Sequence, residues 1–167
     1  MAIKIVIMSY KELTTIIQQL NYRPPAGVTI QIVDALMDEA LLAAKSIEEK
    51  GEADVFVSAG ANLATLGPHL TLPIVGIEVT GFDFLTALSK ARRYSRIAFV
   101  TFRKKITYID SILGVLAVKV RQIIYHDIKE LDELLDDLAK QNITTVIGSS
   151  LVSVKPYPPS KHLLAMR

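Results

Sequence analysis

Five short stretches of this chain gather small, hydroxyl-bearing or glycine residues. They are Ser9-Tyr10, Ser58-Ala59-Gly60-Ala61-Asn62, Thr80-Gly81-Phe82-Asp83, Thr101-Phe102-Arg103-Lys104-Lys105 and Gly148-Ser149-Ser150. Small residues let a ligand approach the backbone, and Ser and Thr hydroxyls add hydrogen-bond donors. Free N–H groups at a helix start, together with the helix dipole, favour an anion. Arg103, Lys104 and Lys105 bring positive charge to one stretch. The chemistry on offer is non-covalent capture of a small carboxylate or phosphate. Against it stands the ordinary use of Gly and Ser as turn residues, which composition alone favours. Asp83 sits in the first turn of a helical pattern, where a carboxylate either caps free N–H groups or organises a binding cleft.

Sharper chemistries find no support. There is no Cys, which removes disulfides, thiolate metal sites, Cys nucleophiles and a two-Cys racemase. Neither G-x-G-x-x-G nor a Walker A pattern occurs, so nucleotide binding has no fingerprint and no cofactor is expected. A phosphoacceptor receiver needs acids after its first strand and an Asp ending its third; Ser9 and Ser58 stand there. His69, His126 and His162 are scattered without metal-ligand spacing. The Lys90, Arg92, Arg93, Arg96 group reads as a solvated helix end, and Asp132, Glu133, Asp136 and Asp137 as the wet face of another helix. Of the net charge of +2, Lys155, Lys161 and Arg167 carry three units with no acid beside them after Leu151. Nucleic-acid binding is therefore not expected. No apolar run approaches a membrane span of ~20 residues, and the opening Met1-Ala2-Ile3-Lys4 enters a strand without a signal-peptide layout. The expectation is a cytoplasmic protein away from membranes.

The elements that position these residues follow from hydrophobic periodicity. Seven β-rich runs stand out: Ile3–Met8, Val28–Val33, Asp54–Val57, Pro73–Val79, Arg96–Phe102, Val118–Tyr125 and Thr144–Ile147. Several are continuously apolar, as strands buried on both faces of a parallel sheet are. Helical spacing links Leu13, Ile16, Ile17 and Leu20, with Ser9 and Glu12 as a capping box. Leu36, Ala40, Ala43, Ala44 and Ile47 form a second face, stopped by Lys50-Gly51. Phe84, Leu85 and Leu88 mark a third helix. Ile128, Leu131, Leu134, Leu135 and Leu138 mark a fourth, capped by Asp127 or Glu130 and ended by Asn142.

Alternating strands and helices imply βαβ crossovers in an α/β fold. The pattern divides into a first α/β lobe over 1–81, an interlobe helix over 82–95, an incomplete second lobe over 96–151 and a Pro-rich tail over 152–167. One doubly wound seven-stranded sheet is the alternative. In open parallel sheets ligands bind beyond the carboxyl ends of the strands, and the five polar stretches follow strands one, three, four, five and seven.

The residues ADVFVSAGANLATL, LPIVGIEVTGFDFLTALSKA, SRIAFVTFRKK and ITTVIGSSLV resemble the N-terminal sensory domain of propionate-catabolism activators (PrpR-type), which are sigma-54-dependent transcriptional regulators. The order and spacing agree from Ile3 to about Val152, and Asp54 to Lys90 is the specific part. The resemblance implies a non-enzymatic sensor of two Rossmann-like lobes, similar to periplasmic-binding-protein and chelatase architectures. It implies a small anionic metabolite, 2-methylcitrate in propionate regulators, held between the lobes. It also implies self-association as a dimer, and control of an ATPase module that works with a DNA-binding module in the full-length regulator. Carried over residue by residue, Ser58, Gly60 and Asn62 resemble a ligand loop; Thr80, Gly81 and Asp83 an interlobe segment; Thr101, Ser149 and Ser150 the second lobe's lip. Ser9, Ala61, Arg103 and Lys104 complete the candidate set. A docking or dimerisation module without ligand is the first rival, and a small-carboxylate enzyme the second.

The tail departs from the pattern. Lys155-Pro156-Tyr157-Pro158-Pro159 replaces the helix expected after the last strand, since proline forbids one there. The expectation is a second lobe short of a strand and a helix, with exposed apolar surface at Ile143–Leu151 that promotes self-association.

Overall fold

The computed structural model describes residues 2–166 apart from Arg93, Ser95, Pro159 and Ser160, with only the backbone described at Ser150 and Ala165. The chain forms two units, Met1–Glu78 and Val79–Arg167. Each holds its own four-stranded parallel sheet, so a single seven-stranded sheet is set aside.

The first unit runs β1 (Ile3–Ser9), α1 (Glu12–Gln19), β2 (Val28–Asp34), α2 (Asp38–Glu49), β3 (Val55–Ala59), α3 (Gly60–Leu66) and β4 (Ile74–Ile77). The strand order is β2-β1-β3-β4. The register runs from Ile3↔Val28 to Ser9↔Asp34, and from Ile5↔Val55 to Met8↔Ser58. Parallel neighbours need a long crossover, and the helices supply it. Val6, Met8 and Phe56 on alternate strand positions meet Ala40, Ala44 and Ile47 of α2 and Leu66 of α3. The two alanines let α2 lie close to the sheet. Gly51, at φ +64°, ends α2 as expected.

The second unit runs α4 (Gly81–Ala91), β5 (Ile97–Phe102), α5 (Thr107–Leu116), β6 (Arg121–Tyr125), α6 (Ile128–Lys140), β7 (Thr145–Gly148), α7 (Ser150–Ser153) and β8 (His162–Ala165). Its order, β6-β5-β7-β8, repeats that of the first unit. The segment expected as an interlobe helix belongs to this unit. Phe84, Ala87, Leu88 and Ala91 of α4 are buried against Ile97, Phe99, Ile109, Leu113 and Ile147. The Phe84 and Phe99 rings meet edge-on at 5.2 Å. Asp127 caps α6 by accepting from the Glu130 N–H at 2.8 Å, and Asn142 at φ +58° lies just past its end, as expected.

The largest difference from the sequence reading is the tail. After the short helix α7 and the prolines it returns to pair β8 with β7, from Thr145↔His162 to Gly148↔Ala165. The second sheet therefore has four strands, as the first does. Pro156 and Pro158 lie ahead of the strand, so their missing N–H groups cost the ladder nothing. The His162 ring stacks on Tyr94 at 4.0 Å, Tyr157 donates to the Ile143 carbonyl at 3.1 Å, and Leu164 and Met166 join the core. All four residues of β7 are buried, which corrects the expectation of an exposed Ile143–Leu151.

Other corrections are local. Ser9 is the last residue of β1 and caps nothing; α1 starts after Lys11 at φ +41° without a side-chain cap. Helices α3 and α5 had no counterpart in the periodicity reading, and β6 begins three residues later than Val118.

Candidate functional site

The carboxyl ends of the first sheet carry Ser9, Ser58, Gly60, Ala61 and Asn62. Their polar groups are engaged within the fold. The Ser9 and Thr14 hydroxyls share a hydrogen bond of 2.7 Å, and both residues are buried. The Ser58 hydroxyl donates to the Met8 carbonyl at 2.8 Å. Asn62, 4 % exposed, spans the turn between β2 and α2. Its Nδ2 donates to the Ala35 carbonyl at 2.8 Å, and its Oδ1 accepts from the Met37 N–H at 2.7 Å. Gly60 has φ +53°, a conformation that swings the strand into α3 and that glycine adopts without strain. Ala61 is buried in α3.

In the second unit, Thr80, Gly81 and Asp83 form the start of α4. The Thr80 N–H and hydroxyl donate to Asp83 Oδ2 at 2.7 and 2.6 Å, while the Asp83 N–H points back at Thr80 Oγ1. This is a capping box, and the Thr80 hydrogen bonds hold the Asp83 carboxyl below its ordinary pKa. A Cβ on Gly81 would meet Ile112 Cδ1 at 3.2 Å, and Tyr108 donates to the Val79 carbonyl. The turn thus rests against the start of α5, the helix that follows β5.

The carboxyl ends of the second sheet are different in kind. Thr101 is 6 % exposed and its hydroxyl has no hydrogen-bond partner among the described residues. Arg103, at φ +57°, donates its N–H to the Tyr125 carbonyl at 2.8 Å and lays its guanidinium 4.8 Å from the Phe102 ring. Gln122 Oε1 accepts from the Ile106 N–H at 2.7 Å, which pins the loop carrying Arg103 and Lys104. Lys105 is compensated by Asp110 at 2.6 Å; no ion pair to Arg103 or Lys104 occurs among the described residues. The Ser149 hydroxyl also lacks a hydrogen-bond partner there, and the Ser150 side chain lies outside the described residues.

Sequence reasoning missed Tyr125, the last residue of β6. It is fully buried, and no hydrogen-bond partner for its hydroxyl lies among the described residues. Burial pushes the phenol's pKa up. The Ser149 hydroxyl beside it opposes that rise without reaching hydrogen-bond geometry. The signal was available, because Tyr125 ends a strand as Thr101 nearly does, but the loop after β6 holds no small residues to draw the eye.

No cluster of His, Asp and Glu among the described residues could hold a metal. His126 meets Glu130 at 3.0 Å and His162 meets Tyr94, in separate places. Arg93 of the basic group lies outside the described residues. No helix among the described residues is long and apolar enough to cross a membrane.

Two four-stranded parallel sheets with polar strand ends define a two-unit Rossmann-like α/β architecture. Residues 26–154 match the propionate catabolism activator family, and the chain belongs to that family as its N-terminal domain. A crystal structure of an NtrC family transcriptional regulator from Clostridium acetobutylicum has the same fold, with a TM-score of 0.77 at 20 % identity. The match covers 100 % of this chain and 88 % of that one.

Proposed function

We propose that this chain is a sensor of a small carboxylate, of the 2-methylcitrate kind, within a sigma-54-dependent transcriptional activator. The family membership supports a regulatory role. The observation that carries the ligand class is the pair of cations Arg103 and Lys104, without ion-pair partners among the described residues, close in sequence to Thr101, whose hydroxyl has no partner there, at a strand's carboxyl end. An anion with several acceptors matches that set. On this reading the domain performs no chemistry. Ligand shifts a conformational equilibrium through its differential affinity for two states, and the ATPase and DNA-binding modules of the intact regulator read the shift. The setting is cytoplasmic, and self-association as a dimer accompanies it.

Isothermal calorimetry and thermal shift with 2-methylcitrate, citrate and succinate test the proposal. Saturable binding of at least one, weakened in an Arg103→Gln, Lys104→Gln double variant, is the expected result. No heat and no stabilisation with any of the three would remove the ligand class. A docking module without ligand is the second reading. Exposed Phe82 and Leu85 on α4 and Val115 and Leu116 on α5 favour it.

A further inference from the structure

The two units share a strand order but not the state of their strand-end hydroxyls. In the first unit Ser9, Ser58 and Asn62 are all bonded within the fold. In the second unit the hydroxyls of Thr101, Tyr125 and Ser149 are buried, and none has a hydrogen-bond partner among the described residues. The three come from neighbouring strands, since the order is β6-β5-β7. Tyr125 pairs with Phe102 and lies on the face of the sheet that carries the Phe102 ring, with the Ser149 hydroxyl beside it. Thr101 pairs with Ile124, one position earlier, and so faces the other side of the sheet. Two other orphan hydroxyls, Thr65 in α3 and Thr145 at the opposite end of β7, stand singly. Buried hydroxyls are normally satisfied, so the neighbouring exceptions at Tyr125 and Ser149, at the edge where parallel sheets bind ligands, ask for an absent partner.

We infer that the second unit grips the ligand, with Tyr125 and Ser149 donating hydrogen bonds to its carboxylate oxygens and Arg103 and Lys104 supplying the charge. The inference rests on the carboxylate-sensor reading and adds a division of labour: the first unit's strand ends are structural, and the second unit's carry recognition. Tyr125 is a new site residue. A phenol is protonated at neutral pH even at its ordinary pKa, so Tyr125 can donate. Two hydroxyls can donate or accept, but with two cations and no carboxylate among them they favour acceptor-rich anions such as di- and tricarboxylates over amines.

The test measures citrate and succinate binding calorimetrically to the whole chain and to Tyr125→Phe and Ser149→Ala. Each variant removes one hydroxyl and keeps most of the shape. Affinity should fall about tenfold in each, one charge-assisted hydrogen bond's worth. Thermal melting without ligand separates recognition from folding. Tyr125→Phe deletes a buried unsatisfied group, so its Tm should hold or rise by about 2–4 °C. Binding within twofold of wild type in Tyr125→Phe and Ser149→Ala overturns the inference while leaving the sensor reading intact. A lowered Tm in Tyr125→Phe also overturns it, because the hydroxyl would then be committed to the fold. Wild-type protein that binds neither acid removes this inference and counts against the sensor reading beneath it.

Discussion

Asn62 shows what a residue type can and cannot disclose. Its place after a strand and beside Gly60 was legible in the sequence. The two bonds it makes, to Ala35 and Met37, were not, because those partners are 27 and 25 residues away. A buried amide bridging two backbone groups leaves both unpaired when removed. Asn62→Ala should therefore cost about 1–3 kcal/mol. Urea unfolding measures it, and a loss below about half a kcal/mol would mean that water replaces the side chain. Tyr125 is the converse case. An aromatic residue at the end of an apolar run reads as core from sequence, and only the folded chain reveals that the Ser149 hydroxyl stands beside it.

At the scale of elements, legibility followed periodicity. Helices α2 and α6 bury residues at the spacing the sequence displays, Ala40, Ala44 and Ile47 in one and Leu131, Leu135 and Leu138 in the other. Helix α5 buries only Ile109 and Leu113, and β8 is a four-residue run behind prolines. Each gives too few repeats for a period to emerge, and tertiary contacts decide both. The start of α4 was readable, since Thr80-Gly81-Phe82-Asp83 has the spacing of a capping box. Thr80→Ala should cost about 1 kcal/mol. The Asp83 carboxyl has a depressed pKa, so its contribution is present above the ordinary value of 3.8 and is lost as pH falls through the lower folded value. Acid titration of stability should show wild type and Asp83→Asn converging at low pH. Curves that stay parallel from neutral pH down would show that the charge form of Asp83 is irrelevant to folding.

For the whole molecule, alternating strand and helix signals gave parallel sheets but left one seven-stranded sheet open beside two lobes, and the family resemblance favoured two. The fourth strand of the second sheet was hidden because a proline cluster looks like the end of regular structure. It is instead the connection into β8. The two units hold separate cores, so damage to one should stay in it. Leu164 of β8 packs partly buried against the Phe84 and Phe99 cluster, and Leu164→Ala should destabilise the second unit by about 2 kcal/mol. Native-state hydrogen exchange should show lost protection in β5 and β7 with β1 and β3 unchanged. Equal loss in both sheets would mean that the units unfold as one.

Every strand partner in the first sheet lies within Met1–Glu78. During synthesis at about 5–20 residues per second, that sheet has all its strands before β5 is made. The second sheet is in the opposite position, because its last strand follows every other strand of the unit. Until β8 arrives, the buried strand β7 has an open edge. A nascent chain is therefore settled in its first half while its second half still presents the TVIG run of β7 to any passing strand or chaperone.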